Sequence, residues 1–166
     1  MIDHVSMKVR DYARSKAFYS AALAPIGYAV VREYPPHAAG FGTPGRPDFW
    51  IVTSEAVTPT HVAFAGRDHA TVAAFHVAAL AAGGADNGGP GTREQYHPHY
   101  YGAFVHDPDG NNVEVVCHSP HGHLPGGAPP DAPKKSAAKA KPKAKAGAAK
   151  AKARKPARGG KSGRRR

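Results

Sequence analysis

The chain contains one stretch of sequence twice. "HVSMKVRDYARSKAFYSAAL" runs from His4 to Leu23, and "HVAFAGRDHATVAAFHVAAL" runs from His61 to Leu80. When the two are aligned without a gap, 10 of the 20 positions are identical, and each copy begins with histidine. A duplicated unit of this kind cannot bury a sheet by itself. The repeat therefore predicts two copies of one structural unit, packed into a single domain.

The first copy predicts a strand followed by a helix. In "IDHVSMKV" (2–9) apolar and polar residues alternate, which is typical of a half-buried strand. Asp11 is well placed to cap a helix that ends near Leu23. "YAVVREY" (28–34) and "DFWIVT" (48–53) predict two further strands, separated by a loop rich in glycine and proline.

The second copy repeats this plan. "THVAFA" (60–65) predicts a strand, and a helix follows the capping residue Asp68. "YYGAFVHD" (100–107) and "NNVEVVCH" (111–118) predict two strands that "PDGN" joins in a hairpin. The segment 85–99 is rich in turn residues and receives no assignment.

These patterns divide the 166 residues into a body and a tail. Modules 1–56 and 57–118, each interpreted as β-α-β-β-β with the second strand of the second module poorly defined, form an α+β body, and a linker (119–133) leads to the tail (134–166). Residues 1–133 hold all 12 acidic residues and 8 of the 23 Lys and Arg residues, for a net charge of −4. The tail holds the other 15 basic residues and no acid.

The tail has a composition that cannot build a core. It lacks leucine, isoleucine, valine and aromatic residues, so it is expected to be disordered. A flexible segment with 15 positive charges is expected to bind the phosphates of DNA or RNA with little sequence preference. The alternative is a solubilising extension without a nucleic-acid partner.

The sequence also predicts a cellular compartment. Cys117 is the single cysteine, so no disulfide can form within the chain, which fits a reducing environment. "MIDHVSMKVRD" does not resemble a secretory signal, and no apolar run is long enough to cross a membrane. A cytoplasmic protein of bacterial type is expected, with association with the nucleoid through the tail.

Two histidines and one carboxylate form a candidate metal site. His4 and His61 occupy equivalent positions of the repeat, on the strand faces opposite the apolar residues that pack under the helices. Glu114 is a charged residue within an apolar strand, where an unpartnered carboxylate is costly. Imidazole and carboxylate together suit Fe, Mn, Ni, Co or Zn. A structural histidine in a strand is the alternative for each copy.

The duplicated β-α-β-β-β unit resembles the vicinal oxygen chelate superfamily, which includes glyoxalase I, extradiol dioxygenases and bleomycin resistance proteins. The resemblance covers residues 1–118, most specifically "HVSMKVRDYARSKAFY", "THVAF" and "FVHDPDGNNVEVV". "RPDFWIV" and "YHPHYYGAFVHDPDGNNVEVVCH" are similar to a poorly characterised glyoxalase-like subgroup. The resemblance implies paired modules whose mixed sheets curl into a half-open barrel or cup around a divalent metal ion.

The ligands of that superfamily carry over to His4, His61 and Glu114. Aligning the two halves places Trp50 where the second half has Glu114, so a fourth ligand is missing. Two histidines and one carboxylate resemble the ligand triad of extradiol dioxygenases, which leaves open positions for substrate and dioxygen. Asp48, on the same strand face as Trp50, is a shorter substitute for the missing ligand.

Other residues near these positions are candidates for roles in catalysis. Glu114, His99 and Tyr101 are candidate acid–base residues, and Trp50 and Tyr100 are candidate walls of a substrate pocket. The resemblance implies a metal-dependent lyase, isomerase or dioxygenase that acts on a small oxygen-bearing substrate. It also leaves open the alternative of a metal-free protein that binds a small molecule or drug. It favours a homodimer, in which the cup is formed either within one chain or across two.

Overall fold

The computed structural model describes residues 2–119. They form two α-helices and two mixed sheets that do not close into a barrel, so the predicted α+β class is confirmed. Residues 120–166, which include most of the predicted linker and all of the predicted basic tail, lie outside the described residues. Neither helix within residues 2–119 has the length and apolar character needed to span a bilayer.

The first half of the body forms a four-stranded sheet with one helix. Its strands are β1 Val5–Val9, β2 Ala29–Tyr34, β3 Ala38–Thr43 and β4 Arg46–Thr53. Helix α1, Tyr12–Ala22, and a short 3-10 helix, Ala24–Ile26, connect β1 to β2. The spatial order is β1-β4-β3-β2, with β1 parallel to β4 and the other pairs antiparallel.

The second half builds the same arrangement. Its strands are β5 His61–Ala65, β6 Ala85–Asp86, β7 Gly91–Thr92, β8 Tyr101–His106 and β9 Asn112–Cys117. Helix α2, His69–Ala81, follows β5. The spatial order is β5-β9-β8-β6, and β7 also pairs with β8. The segment without a sequence assignment thus contains two strands of two residues each.

Both helices begin where the sequence predicts. The side chain of Asp11 accepts a hydrogen bond from the Arg14 N–H at 3.0 Å, and the side chain of Asp68 accepts one from the Thr71 N–H at 2.6 Å. Each aspartate therefore satisfies an N–H group that has no partner inside its own helix. The repeated Arg-Asp pair ends a strand and starts a helix in both halves.

Strand β3 corrects the predicted loop between residues 34 and 48. The glycine-rich stretch Ala38–Thr43 pairs with β2 on one side and β4 on the other. A Cβ atom on Gly40 would lie 2.8 Å from the ring of Trp50, and one on Gly42 would lie 2.1 Å from the Arg46 carbonyl oxygen. The glycines are there because neighbouring groups approach the backbone closely.

The core joins the two halves. Phe64 of β5 packs edge-to-face on Phe49 of β4, with ring centres 5.1 Å apart, and on Tyr28 at 5.5 Å. The apolar faces of both sheets and the inner faces of both helices belong to this one cluster. The opposite face of β1 is open, because Ser6 and Lys8 are exposed on it. His61, Ala63 and Ala65 are likewise exposed on one face of β5 in the second sheet.

Candidate metal and substrate site

The second sheet places His61 and Glu114 side by side. Strand β5 runs parallel to β9, with His61 opposite Asn112 and Ala63 opposite Glu114. Because side chains alternate along a strand, His61 and Glu114 lie on the same face, opposite the one that packs on α2. The matching register in the first sheet places Trp50 opposite Ser6, so Trp50 is the structural equivalent of Glu114.

Glu114 is buried but has a partner for each carboxylate oxygen. Its side chain is 2% exposed, and its Oε2 lies 3.2 Å from Nε2 of His61. The Tyr100 hydroxyl donates a short hydrogen bond to Oε1. Because an isolated buried carboxylate is strongly unfavourable, these two contacts explain how a charged residue is accommodated between apolar neighbours.

Tyr100 keeps its proton over a wide pH range. Burial, together with the hydrogen bond to Glu114, raises the pKa of Tyr100 well above its ordinary value, and Arg93 opposes this effect in part. The ring also packs against His97 and His118, with centres 5.4 and 5.1 Å away. The phenol is therefore a fixed hydrogen-bond donor at neutral pH.

Asn112 is a site residue that the sequence reasoning missed. Its side-chain amide lies 2.6 Å from Nδ1 of His61, and its Oδ1 accepts a hydrogen bond from Asn87 at 3.1 Å. The amide N–H donates to Nδ1 in this arrangement, so the ring proton of neutral His61 is on Nε2, facing Glu114. The sequence contained a signal for this role, because Asn112 and Glu114 are two residues apart and therefore share one face of the strand.

Gly102 is a second residue that was missed. A Cβ atom at this position would lie 3.1 Å from Oε1 of Glu114 and 3.2 Å from the ring of Tyr100. Both distances are tighter than ordinary van der Waals contact, so a larger residue would push these groups apart. Glycine in an otherwise apolar strand is a sequence signal for such a close approach.

The pair opens into a cavity of about 500 Å³. The residues that line it all come from the second half of the body and are His61, Tyr96, Tyr100, Phe104, Asn112 and Glu114. Three aromatic rings therefore form part of its wall, beside the polar side chains of His61, Asn112 and Glu114. Sites for small molecules have this combination of apolar walls and a few oriented polar groups.

His4 lies just before β1 and takes part in none of these contacts. Its Nδ1 is 2.9 Å from Oδ2 of Asp3, and its side chain is 56% exposed. Within residues 2–119, no three histidine, cysteine, aspartate or glutamate side chains come together as a group that could hold a metal ion. One chain thus brings together His61 and Glu114 of the predicted ligands, while His4 stays separate.

The other candidate residues occupy different surroundings. Trp50 stacks on Tyr34 on the first sheet, at 6.2 Å between ring centres. Tyr101 stacks on His69 at 3.8 Å, next to α2, and alternation along β8 directs it to the face opposite Glu114. His99 is exposed, and its backbone N–H donates to His97. Their predicted roles stay predictions, since only Tyr100 of the aromatic candidates contacts Glu114.

The donor atoms of the pair fit a divalent cation. Two ligand atoms that each lie about 2.1 Å from one ion are about 3 Å apart, which is close to the 3.2 Å between His61 and Glu114. To bind through Nε2, His61 must carry its proton on Nδ1, with the Asn112 amide turned so that its oxygen accepts it. Two ligands from one chain leave room for a third.

Comparisons with solved structures find the same fold. A glyoxalase/bleomycin resistance protein from Albidiferax ferrireducens T118 is 27% identical, with a TM-score of 0.60 over 70% of this chain and 98% of that one. A lactoylglutathione lyase from Agrobacterium tumefaciens is 21% identical, with a TM-score of 0.54 over 70% and 92%. A glyoxalase/bleomycin resistance protein/dioxygenase family enzyme from Burkholderia phytofirmans PsJN is 20% identical, with a TM-score of 0.56 over 71% and 98%.

The sequence comparison with protein families agrees. No curated protein sequence matches the chain. The family model for the glyoxalase-like domain, however, matches residues 4–116, which span both copies of the repeat and reach the last strand. The chain therefore belongs to the glyoxalase-like domain family, within the vicinal oxygen chelate superfamily.

Proposed function

We propose that this protein is a metal-dependent lyase, isomerase or extradiol-type dioxygenase. Its substrate would be a small molecule that offers two adjacent oxygen atoms to a divalent cation held by His61 and Glu114. The observation that carries the proposal is the 3.2 Å contact between these two side chains at the end of an aromatic cavity. The family relationship supports the general chemistry, and the site supports the choice of residues.

The residues of this chain have separate roles in that reaction. A cation bound there would polarise a substrate carbonyl and stabilise negative charge on its oxygen. The Tyr100 hydroxyl, which donates to Glu114 in this arrangement, would instead donate a hydrogen bond to a substrate oxygen that takes the place of the Glu114 carboxylate. Phe104 and Tyr96 line the cavity and would pack against the apolar part of the substrate.

We propose that a second copy of the chain completes the site with its own His4. His4 is exposed just before β1 of the first sheet, and His61 is half exposed beside the buried Glu114 on the second sheet. A twofold axis would place each of these surfaces against the other in the partner. His61 and Glu114 from one chain and His4 from the other would then supply the three predicted ligands.

Metal analysis of protein purified without a histidine tag tests this proposal. We expect a stoichiometric divalent ion in the wild type and its loss in His61→Ala and Glu114→Ala. His76→Ala is the matched control, because His76 pairs with Asp86 at 2.9 Å outside the cavity. Loss of the ion in the control, or no ion in the wild type, would contradict the assignment.

Mixing two inactive variants tests whether the site spans two chains. His4→Ala and Glu114→Ala each lack one ligand, and only a mixed dimer with a shared site brings the intact residues together. After unfolding and joint refolding, about a quarter of the wild-type metal content is expected from random pairing into dimers. A site formed within one chain would recover none.

A metal-free binding protein is the second candidate function. Both oxygens of Glu114 already have partners in this arrangement, so the buried carboxylate needs no cation to be stable. The aromatic walls of the cavity suit a flat ligand. Wild-type protein without a stoichiometric ion that binds an aromatic drug tightly, and loses that binding in Tyr100→Ala, would favour this function.

A further inference from the structure

A second cavity adjoins the proposed site. It has a volume of about 300 Å³, and it shares Tyr96, Phe104 and Asn112 with the cavity that holds Glu114. The two cavities are therefore parts of one cleft on the open face of the second sheet. Arg93, Asn87 and Gln95 line the second part, which has no carboxylate among its lining residues.

Arg93 is held in place at this end of the cleft. Its Nη2 donates to the Gly89 carbonyl at 2.8 Å, and its Nη1 donates to the Thr92 carbonyl at 3.1 Å. The guanidinium also lies over the ring of Phe104, 5.4 Å from its centre. A guanidinium has more N–H donors than these two carbonyls use, so others remain for a ligand.

No carboxylate within the described part of the chain neutralises Arg93. The ion pairs among residues 2–119 involve other cations, and the contacts of Arg93 are with neutral carbonyls and a ring. A fixed, half-buried cation with amide side chains beside it is suited to a carboxylate or phosphate group, which it binds with two parallel hydrogen bonds.

We propose that Arg93, Asn87 and Gln95 form an anion subsite that binds the carboxylate or phosphate group of the substrate. The proposal rests on the proposed function in one respect: the same substrate places its adjacent oxygens at His61 and Glu114. It adds the substrate class, an organic anion whose charged group lies away from the reacting oxygens.

A hydrogen-bonded path connects the two ends of the cleft. Asn87 donates to Asn112 at 3.1 Å, and the amide of Asn112 contacts Nδ1 of His61 at 2.6 Å. The Asn87 amide has two N–H groups, so one can donate to an anion while the other stays on Asn112. Two amide side chains thus link the proposed subsite to His61.

Titration of the full chain with inorganic phosphate, followed by NMR, tests the subsite. The protein is first treated with a chelator, so that phosphate has no cation to bind. The experiment follows the side-chain signals of Arg93, Gln95 and Asn87 separately from those of the basic tail. We expect these signals to shift together with one dissociation constant. In Arg93→Gln that constant should rise at least about tenfold.

Control variants separate the subsite from general charge effects. Arg32→Gln removes the same charge from an exposed position of the first sheet and should leave the titration unchanged. Gln95→Leu leaves Arg93 in place and should weaken phosphate binding about threefold. This variant tests the subsite even if Arg93→Gln does not fold. A parallel titration with acetate shows whether the subsite prefers carboxylate or phosphate. Shifts confined to the tail, or equal in Arg93→Gln, would overturn the proposal.

The metal experiment and the phosphate experiment test the two proposals separately, so that either proposal can be wrong while the other holds. If the wild type holds no metal but phosphate shifts the Arg93 signals, the subsite stands and the enzymatic proposal fails. If metal is bound stoichiometrically and phosphate shifts none of the three side chains, the subsite is wrong. Arg93→Gln is expected to retain the metal, because it contacts neither His61 nor Glu114 in the described structure.

Discussion

At the scale of single residues, the site depends on which nitrogen of His61 carries the proton. The Asn112 amide donates to Nδ1, which leaves the proton on Nε2 beside Glu114. This arrangement stabilises the metal-free pair. Metal binding through Nε2 requires the opposite tautomer. The orientation of the Asn112 amide therefore affects the free energy of binding for any cation.

Replacing Asn112 with aspartate should favour the metal-bound form. A carboxylate at this position accepts a hydrogen bond from Nδ1–H and leaves Nε2 unprotonated, which is the arrangement that a cation requires. We expect the affinity for Zn²⁺ to rise about tenfold, as measured by competition with a chromophoric chelator. Gln95→Glu controls for the added charge, since it introduces one in the cleft without contacting His61. Equal affinities in the two variants would show that charge alone acts.

At the scale of secondary structure, residue patterns predict the strands whose apolar and polar residues alternate and the helices that follow a capping residue. The strands that hold His61 and Glu114, and the helices that follow Asp11 and Asp68, lie where their sequences indicate. Strand β3 was missed because its glycines have no side chain to produce an alternating pattern. Their contribution is space for neighbouring groups, which only the paired strands reveal.

Gly42 shows how much stability a side chain in this space would cost. An alanine Cβ there would lie 2.1 Å from the carbonyl oxygen of Arg46, a backbone atom that cannot rotate away. We expect Gly42→Ala to lower the free energy of unfolding by roughly 2–3 kcal/mol in urea denaturation. Gly89→Ala is the matched control, since its nearest neighbouring atom would be 3.9 Å away. Equal stability of the two variants would refute the packing explanation for β3.

The candidate site was only partly predictable from the sequence. Alternation within "NNVEVV" places Glu114 opposite the core, and the repeat singles out His61 as a partner. Tyr100 begins the predicted strand 100–107, and alternation with Gly102 and Phe104 assigns it to a face but names no partner, so its bond to Glu114 could not be inferred. His4 lies just before β1 in the other half, and no sequence pattern shows that it stays apart from His61 and Glu114 within one chain.

At the scale of the whole molecule, the buried Tyr19 and the half-buried Tyr28 connect the two halves and limit stability at high pH. The Tyr19 hydroxyl in α1 donates to Asp107 at 2.7 Å, at the turn between β8 and β9. Burial and that aspartate raise the pKa of Tyr19 well above its usual value. Burial and a hydrogen bond to Asp48 raise the pKa of Tyr28 to about 12.

These raised pKa values predict unfolding in alkali. Unfolded tyrosine ionises near pH 10. The stability that the protonated phenols provide is therefore complete below about pH 10 and is lost as the pH rises towards 12. The tyrosinate absorbance of Tyr28, taken as the difference between the wild type and Tyr28→Phe, should rise together with the loss of the native dichroism signal over this range, and Tyr28→Phe should have a flatter stability profile. A difference absorbance that is complete at pH 12 while the dichroism spectrum stays native would contradict the assignment.

The charge distribution of the full chain predicts one further property. Residues 1–133 carry a net charge of −4, while residues 134–166 carry 15 basic residues and no acid. Binding to nucleic acid should therefore depend on the tail alone and fall steeply with salt, because each neutralised phosphate releases a counterion. Deleting residues 134–166 is expected to abolish retention on a DNA column at low salt and to leave the dichroism spectrum of the body unchanged. Equal retention of the shortened chain would place the binding surface on the body, and salt-independent retention would exclude a phosphate-driven interaction.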